Sequence, residues 1–198
     1  MVCRLLCSCW CNRNHNLNDM KKSISLLIGA LTFLLVGCVQ VTFTEPMPFN
    51  RPNKTTFPKS LQGEWFYKGD NDELAEKITI SSKFVEMGEE NIVINEQTLL
   101  RKFNGFYVLN SLVEDKGRYS LTLAKKNGAG LGVYKFDGSD EAKIKIWEEI
   151  LGTDSVEVIN IGGESLETEE IILKPKNNST FRKLLNEGGV THLGDYVR

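Results

Sequence analysis

Beyond residue 38 the chain has no cysteine, and only one of its two histidines, His192, lies there. The first absence excludes disulfide staples, thiol nucleophiles and cysteine zinc knuckles from residues 39–198. The second leaves too few imidazoles for a histidine metal cluster. No apolar run reaches the about 20 residues of a spanning helix; Ile24–Val36 has 13. Long blocks of one charge sign are missing too. From Cys38 onward twenty basic residues stand against twenty-five acidic ones, a net of about −5. That balance argues against nucleic acid and against a basic lipid-binding face.

What is present begins with the leader. Lys21 and Lys22 precede the apolar run, and Leu35-Val36-Gly37-Cys38 closes it. A positive n-region, a short h-region and a small residue at the end are the parts of a secretory signal. The tetrapeptide resembles the lipobox of bacterial lipoproteins. The resemblance implies diacylglyceryl transfer to the Cys38 thiol, signal-peptidase cleavage between Gly37 and Cys38, and often acylation of the new amine. Each buried methylene adds about 0.8 kcal/mol, so two or three chains anchor durably where one does not. No other cofactor is expected. Val39 stands where an Asp retains many lipoproteins in the inner membrane. This favours the outer membrane, and the lack of an acidic cluster after Cys38 favours its periplasmic face. Residues 1–19 carry Cys3, Cys7, Cys9, Cys11 and His15. Their spacing lacks paired CxxC knuckles, and an overcalled start ahead of Met20 explains them better than a metal site. No metal ligands are assigned.

The leader is thus read as residues 20–37, followed by a Cys38 anchor and a Pro-rich tether over 38–57. Pro46, Pro48, Pro52 and Pro58 predict an extended, semi-stiff spacer. A single domain is expected over 58–198, with enough residues for a real core. Short strands are predicted at Glu64–Tyr67, Lys77–Ile80, Phe84–Met87, Asn91–Ile94, Gln97–Phe103, Phe106–Val113, Arg118–Ala124, Leu131–Phe136, Val156–Ile161 and Glu170–Leu173. Asn104-Gly105 and Asn127-Gly128 are hairpin signals. Ser139–Leu151 fits both strand and helix periods; Ser139 or Asp140 as N-cap favours a short helix. Pro175–Glu187 predicts a C-terminal helix capped by Ser179 and stopped by Gly188-Gly189. The sum is a β-rich domain of about eight or nine strands, an antiparallel meander closed into a barrel or strongly curved, with one or two short helices.

Two resemblances attach to particular residues. Leu61-Gln62-Gly63-Glu64-Trp65 resembles the G-x-W of lipocalin-like barrels, which implies a Trp plugging one end of a ligand cavity. The runs Pro58-Lys-Ser-Leu-Gln-Gly, Leu100-Arg-Lys-Phe-Asn-Gly-Phe-Tyr-Val-Leu-Asn, Arg118-Tyr-Ser-Leu-Thr-Leu and Leu173-Lys-Pro-Lys-Asn-Asn-Ser-Thr-Phe-Arg-Lys-Leu-Leu resemble a group of small, uncharacterised Gram-negative lipoproteins. The second resemblance spans most of the mature domain and implies no activity.

Candidate sites stand beside plainer readings. Trp65 can cap a ligand cavity or serve as a core aromatic. Gly128, Gly130 and Gly132 recur at strand period with Tyr134, leaving a strip where a ligand or a ring can approach backbone. Gly128 to Gly132 lacks the lysine and hydroxyl of a phosphate loop. Asp70-Asn71-Asp72 lacks the later ligands of a calcium loop. Glu89-Glu90, Glu148-Glu149 and Glu169-Glu170 are neighbours in sequence, and on a strand such neighbours face opposite ways. Asp154-Ser155-Val156 fits a short O-glycosylation tripeptide. His192 near the terminus has no cysteine partner, and no catalytic residue is assigned. The expectation is a membrane-anchored, non-enzymatic envelope binding or assembly module. The alternative is a lipocalin-like carrier of a small apolar ligand. Expected partners are therefore the bilayer through acylated Cys38, and an envelope protein or a small apolar ligand.

Overall fold

The computed structural model describes residues 39–69, 77–88, 90–160 and 168–198. The leader, Gly37, Cys38, the early cysteines, Asp70-Asn71-Asp72 and Glu89 lie outside them. Twelve strands form one mixed sheet. They are β1 (Gln40–Phe43), β2 (Gly63–Tyr67), β3 (Lys77–Ile80), β4 (Phe84–Met87), β5 (Glu90–Val93), β6 (Thr98–Phe103), β7 (Phe106–Val113), β8 (Arg118–Asn127), β9 (Gly130–Lys135), β10 (Val156–Asn160), β11 (Thr168–Leu173) and β12 (Thr191–Val197). Among the described residues two α-helices interrupt them, α1 (Glu141–Leu151) and α2 (Asn178–Asn186).

Two antiparallel meanders, β2 to β5 and β6 to β9, make up most of the sheet. β12 joins them by pairing with β9 on one edge and β2 on the other. The ten-residue β8 carries β7 along one edge and shares its other edge between β9 and β1. β1 runs parallel to β11, with Gln40 opposite Glu170 and Phe43 opposite Leu173. The sheet does not close into a barrel: among the described residues no ladder joins β5 to β6.

Local chemistry accounts for the turns. Asn104 and Gly105 sit at φ of 50° and 84°, the two positive values that a two-residue hairpin loop requires, and Phe103 pairs directly with Phe106. Asp140 caps α1 by accepting from the Ala142 N–H at 3.0 Å. Asn177, not Ser179, caps α2, accepting from the Thr180 N–H at 2.9 Å. Asn177 is extended, whereas Ser179 already lies inside the helix.

The core has two parts on opposite faces of β7, β8 and β9. Val108, Leu121, Leu123 and Phe136 pack with Phe43, Ile171, Trp147 and Phe181 beneath the helices. Leu109, Leu131 and Val133 pack with Trp65, Ile78, Ile80 and Leu100 of the other strands. Both faces of this central ladder therefore meet protein.

Several expectations are corrected. The strands number twelve rather than eight or nine, one pair is parallel, and the barrel is open. The segment read as a spacer over 38–57 is docked from Gln40 onward. Phe43 and Met47 are fully buried, and Phe57 is nearly so. The prolines do not keep it free because its polar backbone is matched by side chains. Asn110 accepts from the Met47 N–H at 2.6 Å and donates to the Met47 carbonyl at 2.9 Å. Asn178 accepts from the Phe49 N–H at 2.8 Å and donates to its carbonyl at 2.9 Å. Arg101 donates to the carbonyls of Pro46 and Pro48 at 2.5 and 2.8 Å. The C-terminal residues around His192 form β12, a strand absent from the predicted set.

Candidate functional site

Three places could carry chemistry: an interior cavity, a buried ion cluster and a surface groove. The cavity lies between the two meanders. Its volume is about 60 Å³, and its walls include Ile78, Val85, Leu100, Leu109, Leu131 and Val133. Ligand sites for drug-sized molecules usually run about 300–1,000 Å³. This space is apolar and small.

The residues singled out from sequence do not converge on it. Trp65 is fully buried in the same core, and its indole N–H donates to the Leu61 carbonyl at 2.7 Å. It does not form part of the cavity wall. Gly130, Gly132 and Tyr134 alternate with Leu131 and Val133, so they belong to the opposite, helix-side face. The strip left by Gly132 is filled by a ring, as one of its two readings allowed, and the ring is Tyr134 itself. A Cβ at Gly132 would lie 2.9–3.2 Å from the Tyr134 ring and hydroxyl. Tyr134 also packs edge-on against Phe106 at 5.4 Å and lies 4.8 Å from the His192 ring. His192 Nε2 is 3.2 Å from Asp195 Oδ1 on the exposed side of β12. Ser155 is 8% exposed, so the tripeptide hydroxyl is poorly placed for a glycosyl transfer.

The ion cluster was not foreseen. Glu169 is exposed and Glu170 is 1% exposed, as strand alternation requires, although Lys116 Nζ lies 3.9 Å from the Glu169 carboxylate as well. Its carboxylate accepts from the Thr42 hydroxyl at 2.6 Å, from Arg118 Nε at 3.1 Å and from Arg118 Nη2 at 2.6 Å. Lys116 Nζ stands 3.1 Å from the same carboxylate and also donates to Gln40. Burial pushes the carboxyl up, but the hydrogen bonds from Arg118, Thr42 and Lys116 together hold it below its ordinary value. A carboxylate so held is a weak base. Its role is to join β1, β8 and β11. The only signal in the sequence was one glutamate in the apolar run Glu170-Ile171-Ile172-Leu173. Among the described residues no group of three or more His, Cys, Asp or Glu side chains could hold a metal.

The groove is larger and of different character. It holds about 570 Å³ and is lined by Arg51, Asn53, Lys54, Thr55, Thr56 and Lys102, with Pro52 and Pro58. No acid lines it. The chain is shaped there by Arg101, whose Nε donates to Asn53 Oδ1 at 2.8 Å, and by the Lys54 N–H, which donates to the Leu100 carbonyl at 2.7 Å. Arg51 reaches the Phe103 ring at 5.7 Å, and Arg182 of α2 reaches the same ring at 5.3 Å. Lys102 lies 5.3 Å from the Tyr107 ring. Among the described residues Arg51, Lys54, Lys102 and Arg182 make no ion pair with a carboxylate. A chain of net charge about −5 after residue 37 thus gathers free cations around one hairpin. Sequence reading passed over them because Arg51 and Lys54 lie in the supposed spacer and Lys102 on a strand.

The chain matches no protein-family model, no curated protein and no solved structure. No described helix is long and apolar enough to cross a membrane.

Proposed function

We propose that this chain is a lipid-anchored, non-enzymatic binding module of the bacterial envelope. The anchor rests on the leader alone: Lys21-Lys22, the run Ile24–Val36 and the Leu35-Val36-Gly37-Cys38 box. Cleavage between Gly37 and Cys38 and a diacylglyceryl thioether on Cys38 follow from that likeness, and the reading needs no other cofactor. Val39 after the cysteine supports the outer membrane, facing the periplasm.

The observation that carries the binding half is the groove at residues 51–58 and Lys102. It is open, ready-formed and supplied with cations that have no carboxylate partner among the described residues. The partner on this reading is an envelope component that supplies the missing negative charge. Two measurements test it. Labelled palmitate should enter the wild type and not Cys38→Ala. A photo-crosslinker at Thr55 should give one reproducible adduct in cells, where the same group at Val158, an exposed site on β10, gives none. Release of the wild type into the soluble fraction without label overturns the anchor. Identical, diffuse adducts from both positions overturn the docking site.

The carrier reading has one observation in its favour, the apolar cavity between the meanders. At about 60 Å³ it falls below the roughly 150 Å³ that accepts benzene in an engineered core. Native mass spectrometry of the periplasmically expressed protein tests it: a co-purifying small molecule at unit stoichiometry would put the carrier first.

A further inference from the structure

We infer that the groove at residues 51–58 takes an acidic oligosaccharide. The inference rests on the groove being the docking site and goes further by naming the class of ligand. Three kinds of group meet there. Arg51, Lys54 and Lys102 supply positive charge without an opposing acid among the described residues. Asn53, Thr55 and Thr56 add an amide and two hydroxyls, all on exposed residues. Pro52 and Pro58 present flat apolar faces. Cations select carboxylate or phosphate; amide and hydroxyl groups match sugar hydroxyls; proline rings suit the C–H face of a pyranose.

Two of the three groove cations, Arg51 and Lys102, are held in place before any ligand arrives. Arg51 and Arg182 share the Phe103 ring, and Phe103 itself is stacked on Phe181 at 5.8 Å. Lys102 rests on Tyr107, and Lys125 lies 5.1 Å from the Phe106 ring on the same hairpin. Contacts with ring faces restrict side chains without neutralising them, so their charge stays available. Because these rings are covered by cations, they do not form an open stacking platform for single-stranded bases. The volume of about 570 Å³ lies within the range of small-ligand sites and is contiguous. Arg101 takes no part, because its guanidinium is committed to Pro46, Pro48 and Asn53.

The test uses the full-length protein purified in detergent and isothermal titration with trigalacturonate. Maltotriose, inorganic phosphate and phosphatidylglycerol vesicles serve as the other arms. Trigalacturonate should bind, and Lys54→Glu with Lys102→Glu should weaken it at least tenfold while the melting temperature stays unchanged. Raising salt should weaken binding in the wild type. Equal binding of maltotriose, or phosphate binding as tightly as the trisaccharide, would overturn the inference. So would vesicles that compete through the same lysines, since the ligand would then be a lipid surface. No binding of the trisaccharide by the wild type overturns it too. Crosslinking from Thr55 to a protein would remove the saccharide and leave the docking site standing, so the two failures are distinguishable.

Discussion

The guanidinium of Arg198 lies 4.6 Å from the centre of the Trp65 indole, and its Nη2 donates to the carbonyls of Ser60 at 3.1 Å and Gln62 at 2.7 Å. The last residue of the chain thus covers the first meander's buried aromatic and satisfies the turn that leads into it. Gly63 lies beneath this contact at φ 127°, a conformation that disfavours any side chain.

Arg198→Ala should therefore destabilise the fold by about 2 kcal/mol, the sum expected of a charged hydrogen-bond pair and an exposed cation–π contact. Trp65→Phe removes the Leu61 bond and the better ring. Urea unfolding of both single variants and the double variant gives the cycle. The double variant should lose less than the sum of the singles; strict additivity would show that the guanidinium does not distinguish the indole from a phenyl ring.

The Glu170 cluster predicts a defined acid response. Its folded-state carboxyl is held below its ordinary value. The stabilisation is therefore complete above the unfolded value of about 4.3 and is lost as pH falls through the lower folded value. Glu170→Gln leaves Arg118 without its counter-charge and Lys116 with only Glu169, at 3.9 Å, a loss of about 3 kcal/mol at pH 7. The gap between wild type and variant should shrink when urea unfolding is repeated at pH 3. A gap of the same size at both pH values would contradict the assignment.

Asn110 holds the docked N-terminal segment. It is wholly buried and bonds both polar groups of Met47. Asn110→Ala should cost about 2–3 kcal/mol by leaving those groups unmatched. Hydrogen exchange at the Met47 amide should accelerate more than at Ile78 on β3, which pairs with Trp65 and Met87 rather than with β7. Uniform loss of protection would point to a global effect instead.

The interior cavity offers the opposite sign. Ala124 on β8 borders it. Ala124→Val adds methyl groups to apolar space and should raise stability by about 1 kcal/mol, read as a higher melting temperature. A lower one would mean the walls are already closed.

Much of the strand pattern was legible because each strand is short and bounded by turn residues. Lys77–Ile80, Phe84–Met87 and Phe106–Val113 were placed to the residue, and Asn104-Gly105 specified its hairpin. β1 and β12 were missed for physical reasons. Gln40–Phe43 is a four-residue strand read as part of a proline-marked spacer, and its pairing partner β11 lies about 130 residues further on. Local pattern carries no information about such a partner. β12 includes Gly194 and a register shift between His192 and Gly194, which break its alternation. The groove was illegible because its charge arises only when residues 51–58 fold against Lys102. The strip at Gly132 was visible, but which ring would fill it was not.

One consequence concerns force. The first strand begins two residues after Cys38, is paired along its length with β11, in parallel, and meets β8 at its end, where Phe43 lies opposite Tyr119. A pull applied through Cys38 would act along that strand, across hydrogen bonds that lie sideways to it. Such bonds share a load and yield together, in shear, where a hairpin opened from its end gives way rung by rung. A domain held by its first strand and by a ligand in the groove would thus behave as a stiff mechanical link, with the Glu170 cluster as a rivet through the three strands that carry the tension.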